Sequence, residues 1–285
     1  MTTPATPQAP QQQPQAAWPA PGGGYASPIP VRAPTFGDAL ASEWTKIRSV
    51  RSTMWTLGVM IVLMLAIGLL SAFAVAATDA NLGDEPVLSL GFFGVLLGSI
   101  CVITLGVLTI SSEYGTGMIR TTLTACPSRG RVLTAKATVF FLLTFVITVV
   151  MATLVAGLQT VILDGAPASG TDWLRATVGV GLYIATLGLL SLGLGAIIRH
   201  SAGAITIMIA LVLLPLVLAM FMFSESLADL QRALFEYSIP NQLGALYGSA
   251  ISNSGPSGWE PLWIILGAAA VALAGAFVSL DRRDV

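Results

Sequence analysis

Residues able to do ionic chemistry are few in this chain, and they cluster. The stretch SEYGTGMIRTTLTACPSRGRVLTAK (112–136) carries Arg120, Arg129, Arg131 and Lys136, with Glu113 as its one acid. Such a set can pair internally, anchor at a membrane interface or present a charged face to a partner protein. Buried alone, Glu113 would be a costly unpaired charge, so it is expected near Arg120 or Arg129. Gly115 and Gly117 allow the chain to turn sharply out of a helix. Ser128 can cap a new helix after Pro127.

Other chemistry is missing. Lys46 and Lys136 are the only lysines, and neither follows Gly, so the chain has no GxxxxGK[ST] phosphate loop. His200 is the only histidine, which argues against a histidine-based metal site or a Ser-His-Asp triad within one chain. It follows Arg199 and is expected to be a solvated helix-terminus residue interacting with the dipole. No catalytic, cofactor-binding or metal residue is assigned, no cofactor is expected, and the chain is not expected to be an enzyme. Cys101 and Cys126 are expected to be unpaired thiols.

The elements that must position these residues are apolar. Of 285 residues, 55% are hydrophobic and only 9% charged, with a mean hydropathy of +0.82. Soluble domains carry roughly a quarter charged residues, so the expected fold is an all-α polytopic membrane protein. Six runs each come close to the roughly 20 residues that cross a bilayer: about 54–77, 88–111, 137–163, 176–198, 202–223 and 262–280. Inside a bilayer the backbone must satisfy itself, so each run should be a helix. Gly94 and Gly98 form a small-xxx-small pair that lets helices approach closely. Pro215 should kink the fifth helix or mark where neighbours satisfy the freed carbonyl.

Two flanking regions differ. Residues 1–34, rich in Pro, Gln, Ala and Gly, are expected to form a disordered cytoplasmic tail, and they do not resemble a signal peptide. The domain proper spans 35–285. It opens with a helix over about Thr35–Arg51, capped by Thr35 and Asp38. Phe36, Leu40, Trp44 and Ile47 share one face, with Asp38, Glu43, Lys46 and Arg48 elsewhere. An amphipathic helix of this kind before a span suits the membrane interface. Between the fifth and sixth runs, residues 224–261 are expected to form one or two short helices on or in the outer leaflet, with Leu227, Leu230, Leu234 and Phe235 at helical spacing and Ser224 or Ser226 as cap.

Charge alternates across the six crossings. One set of connections holds Arg32, Lys46, Arg48 and Arg51, then the 112–136 cations, then Arg199, then Arg282 and Arg283. The other holds only Arg175 and Arg232, with Asp79, Asp84, Glu85, Asp164, Asp172, Glu225, Asp229, Glu236 and Glu260. The positive-inside rule therefore places both termini and the 112–136 segment in the cytoplasm. The net charge of −1 gives no basic field and no argument for nucleic acid.

With its pre-span helix SEWTKIRSVRSTMW, its segment EYGTGMIRTTLTACPSRGRVLTAK and its long outer loop before the sixth span, the chain resembles the membrane permease of a type-2 ABC exporter of actinobacterial character. The resemblance covers residues 35–285. It implies a plasma-membrane subunit that couples ATP hydrolysis by a separate ATP-binding subunit to export of an amphipathic or hydrophobic substrate. It further implies a coupling element holding Glu113, Gly115, Thr116, Gly117 and Arg120, closed by Pro127, Arg129 and Lys136. The pre-span helix with Trp44, Lys46 and Arg48 would lie along the inner leaflet against the same subunit. A second permease chain is implied, as homodimer or paralogous heterodimer, with substrate passing near the first, second and fifth spans.

Other classes remain to be separated. An ion-gradient-driven carrier usually keeps ionisable groups deep in the membrane, and none falls in the middle of the six runs. A membrane-embedded hydrolase needs a clustered acid/base or metal set, which the runs lack. A non-transport membrane anchor needs no patterned 112–136 segment.

Overall fold

In the computed structural model, residues 34–78, 86–163, 168–250, 252 and 254–282 are described. The expected tail at 1–34 lies outside them except for Pro34, as do Asp79, Asp84, Glu85, Asp164 and Arg283. The described residues form helices and no strand. These are α1 (Phe36–Ser49), α2 (Arg51–Thr78), α3 (Gly91–Thr116, entered by a 3₁₀ turn at Val87–Leu90), α4 (Met118–Ala125) and α5 (Arg129–Ile162). There follow α6 (Gly170–Leu174), α7 (Val180–Ile198), α8 (Ser201–Met220), α9 (Ala228–Glu236), α10 (Ile239–Tyr247) and α11 (Glu260–Arg282). Six of these segments are long and apolar enough to cross a membrane: α2, α3, α5, α6 continued by α7, α8 and α11. The chain is a multi-pass helical membrane protein.

Each helix buries a face according to its place. In the most apolar window of the fourth span 72% is buried, against 22% in the first, fifth and sixth. The helix at the centre is therefore α7, which packs against α3, α5, α8 and α11, while α2 packs on α3 and α5. Glycine makes these contacts close. A Cβ on Gly94 would stand 2.7 Å from the Met64 carbonyl oxygen, and one on Gly106 would stand 2.6 Å from that of Gly188. Backbones at that separation exclude any side chain, so α2, α3 and α7 are held together by dispersion at short range. Gly94 and Gly98 do face α2, as their spacing suggests. α8 continues helically through Pro215.

Three helix ends depart from the expected boundaries, one of them the start of the fourth span, at Gly170 rather than near Ala176. The second span runs past Glu113 to Thr116, and the third begins at Arg129 rather than near Ala137. The 112–136 segment that connects the second and third spans is thus almost wholly helical. Its turn falls at Gly117, which has φ 72°, whereas Gly115 lies inside α3. Its second break is Cys126–Ser128, where Ser128 accepts a hydrogen bond from the Arg131 amide and caps α5 as expected.

At the acidic end, α10 sinks into the bundle. All nine residues Ile239–Tyr247 are buried, capped by Ser238 at the start and by Gly248 (φ 74°) at the close. The proposed serine caps of the preceding helix are not formed: Ser224 and Ser226 hydrogen-bond each other instead. Burial of the Tyr247 phenol holds its pKa well above the usual tyrosine value, so the ring stays neutral.

Candidate functional site: a charge ring at the basic end

Thr35 and Asp38 cap α1 reciprocally: the Thr35 amide donates to Asp38 Oδ2 at 2.8 Å, and the Asp38 amide donates to Thr35 Oγ1. The helix then places Glu43 and Lys46 one turn apart, with Lys46 Nζ 2.7 Å from Glu43 Oε1. Lys46 Nζ also reaches Glu113 Oε1 of α3 at 2.9 Å. From α5, Lys136 Nζ lies 2.8 Å from the same Glu113 oxygen and 2.6 Å from Glu43 Oε2. The four groups close a ring of alternating sign, Glu43–Lys46–Glu113–Lys136, that joins three helices. A hydrogen bond from Lys46 Nζ to Thr122 Oγ1 at 3.3 Å extends it to α4.

The ring is dry on three corners. Lys136, Glu43 and Glu113 are 2%, 4% and 5% exposed, and the Lys46 side chain 24%. Two carboxylates and two ammonium groups cancel formally, which is what permits their burial. Burial alone would lower the Lys46 pKa, but the hydrogen-bonded carboxylates of Glu43 and Glu113 outweigh it and hold the ammonium above the usual lysine value. Glu113 Oε2 has no partner.

The arginines have other work. The Arg129 guanidinium donates to the Leu280 carbonyl, and Arg199 Nη2 donates to the Ser279 carbonyl at 3.1 Å. Both carbonyls belong to the last turn of α11, where cations complement the helix dipole. Arg199 also lies over the Tyr114 ring, 4.8 Å from its centroid, and it is the one non-glycine with positive φ (59°) among the described residues. Arg131 donates to the Pro34 carbonyl at 2.6 Å. Glu113 therefore does not pair with Arg120 or Arg129. The lysines reach it because α1 and the early start of α5 carry their stems inward from opposite sides.

Of the residues singled out from sequence, the fold brings together Lys46, Glu113 and Lys136. Thr116 and Gly115 form the exposed last turn of α3, Gly117 the turn, and Arg120 the exposed face of α4. Pro127 and Arg48 are exposed, and Trp44 is 45% exposed. Glu43 was assigned to the polar face, yet it is the ring's fourth member. The signal for it was present: at about 100° per residue Glu43 lies about 20° from Phe36, on the border of the apolar arc. The apolar set itself divides, with Ile47 buried inward and Phe36 and Trp44 turned out. His200 is the cap of α8, its Nδ1 accepting from the Gly203 amide at 3.1 Å. Cys101 and Cys126 are free thiols.

The ring is an arrangement of ion pairs. It fastens helices that are distant in sequence, and it does so where the short helix α4 hangs between α3 and α5 with Met118, Arg120, Thr121 and Thr124 exposed. Neither a scan against protein-family models nor a search of the curated proteins finds a match to this chain.

Proposed function

We propose that this chain is the membrane-spanning permease subunit of an ATP-driven exporter, receiving motion at α4 from a separate ATP-binding subunit. The observation that carries this reading is the closed ring Glu43–Lys46–Glu113–Lys136 beneath an exposed short helix. A push on α4 cannot slide α1, α3 and α5 past one another without stranding buried charges, a cost of about 3–5 kcal/mol for a broken pair. Displacement is then passed into two membrane helices as a unit. In this reading hydrolysis belongs to the partner, since this chain carries no phosphate loop.

In this reading the ring, α4 and both termini face the cytoplasm across the plasma membrane, and α1 with Trp44 and Phe36 turned outward lies in the interface. A second permease chain, identical or paralogous, completes the path, and the cargo is amphipathic or hydrophobic. The test is affinity purification of the full chain from its native membrane. An ATP-hydrolysing protein should copurify, and Arg120→Ala on α4 should weaken its stimulation while the chain still inserts. Transport that persists in cells without such a partner overturns the proposal. Transport abolished by an uncoupler with ATP intact indicates an ion-driven carrier. Function unaltered after scrambling residues 113–131 indicates an anchor.

A further inference from the structure

We infer that a single ordered water binds where α2, α3, α5 and α10 meet, donating to Gln159 Oε1 and accepting from the Tyr247 hydroxyl. Gln159 of α5 is fully buried, and its amide has a fixed orientation: Nε2 donates to the Gly68 carbonyl of α2 at 2.8 Å. A flipped amide would set oxygen against oxygen there, so Oε1 is the atom left over. Oε1 has no hydrogen-bond partner, and an amide oxygen buried in that state is costly.

Gln159 lines a small cavity together with Tyr247 of α10, and all nine residues around it are buried. Its volume is about 10 Å³, and a single water needs roughly 10–15 Å³. Tyr247 carries its hydroxyl at the wall: Oη would stand 3.4 Å from a Cβ placed on Gly91, another lining residue. Burial keeps this phenol neutral, so it has one proton to give and lone pairs to accept. The other lining side chains are apolar. The walls have no slack with which to close on the amide. A Cβ on Gly68 would stand 2.6 Å from Val155 Cγ1, and one on Gly94 would stand 2.7 Å from the Met64 carbonyl oxygen. Helices α2, α3 and α5 are already at contact distance there, which blocks collapse of the cavity.

Two polar groups in an otherwise apolar space of this size select the occupant. An apolar molecule leaves Oε1 unpaired. A hard cation takes about six or more oxygens, and among the described residues no carboxylate lines the cavity. Water donates and accepts at once, and a bridging water is nearly as good as a direct bond. It gives α10 a polar tie to α5 and, through the Gln159 amide, to α2. The segment between the fifth and sixth spans is thereby joined to the first and third.

The water belongs to the fold, whatever the bundle moves, so its test needs no ATPase and no cargo. A structure of the full chain in lipid nanodiscs, at a resolution that shows waters, should place a density peak about 2.5–3.0 Å from both Gln159 Oε1 and Tyr247 Oη. A thermal-unfolding double-mutant cycle is read in parallel. Tyr247→Phe removes only the hydroxyl and should lower the midpoint by about 2–4 °C in the native chain. In a Gln159→Met background, where the water has lost its acceptor, the same change should lower it by less than half as much. The loss of the Gly68 bond cancels in such a cycle. Equal drops in the two backgrounds overturn the proposal. A cavity without density does so too, as does a Tyr247 hydroxyl bonded directly to Gln159.

Discussion

The two ends of the bundle bury polar groups by opposite means. At the basic end the bonds are ionic and long-range: Lys46 and Lys136 tie α1 to α3 and α5 across 67 and 93 residues of chain. Around α10, at the acidic end, they are neutral and mostly short-range, although the Tyr183 hydroxyl of α7 also donates to Gln242 Oε1 at 3.4 Å. The Asn241 amide group donates to the Glu236 carbonyl five residues back and accepts from the Ser252 amide, and Gln242 donates to Tyr237. A local bond lets α9 and α10 form as a self-capped unit. A long-range one makes separate helices move together, because sliding any of them exposes a charge. The difference teaches that helices are tied by different means at the two ends: by ion pairs across three helices at the basic end, and by neutral bonds around α10 at the acidic end.

This contrast can be broken at its strongest point first. Lys136→Met leaves Glu43 and Glu113 buried with one cation between them, and thermal unfolding should show a loss of about 3–5 kcal/mol. Adding Glu43→Gln to it should recover a substantial share, since the neutral pair needs no counter-charge. Recovery absent in that double variant would mean that packing, not charge, dominates the site.

Gly106→Ala tests whether the two ends share one rigid centre. Its Cβ would meet the Gly188 carbonyl oxygen at 2.6 Å, so α3 and α7 must part, at a cost of about 1–3 kcal/mol. Chemical denaturation should show it, and hydrogen exchange should rise at both ends of the bundle. At the acidic end, Asn241→Ala removes side-chain bonds worth about 1–3 kcal/mol because it strands buried backbone groups. Its exchange should quicken around 236–252 only. A matching rise at Glu43 or Glu113 would erase the distinction between local and long-range ends.

The smallest effect concerns pH. The folded pKa of Lys46 lies above its free value of 10.5. A raised pKa gives a contribution that is complete below the free value and lost as pH rises through the folded one. Unfolding midpoints should therefore be unmoved by Lys46 through the neutral range and should fall in strong alkali. The Lys46→Gln chain should lack that alkaline step. A step at neutral pH in the native chain would contradict the ring as drawn.

Much of the fold was readable because a bilayer allows few solutions. Long apolar runs must be helices, and their boundaries came within a turn except where polar residues sit in helix. The exceptions are the start of the fourth span, at Gly170 rather than near Ala176, and above all the 112–136 segment. Glu113 and Lys136 look like loop residues in one dimension, and they are helical because each cancels the other's charge in three. The glycine pair Gly94 and Gly98 was readable from spacing, whereas Gly106 against Gly188 was not, since spacing names no partner. α10 was expected as a short helix on or in the outer leaflet. Its burial depends on the gap that α3, α7, α8 and α11 leave for it.

Sequence alone determined that this chain is a six-span helical membrane protein with its cations gathered on one set of connections, because transfer of apolar and charged groups depends on residue type and run length. It also determined that the chain has two lysines and no phosphate loop. Only the tertiary structure decided that those two lysines share Glu43 and Glu113 rather than leaving the arginines to pair. Ion pairing at 2.6 to 2.9 Å depends on which helices meet, and that is settled by packing between segments nearly a hundred residues apart.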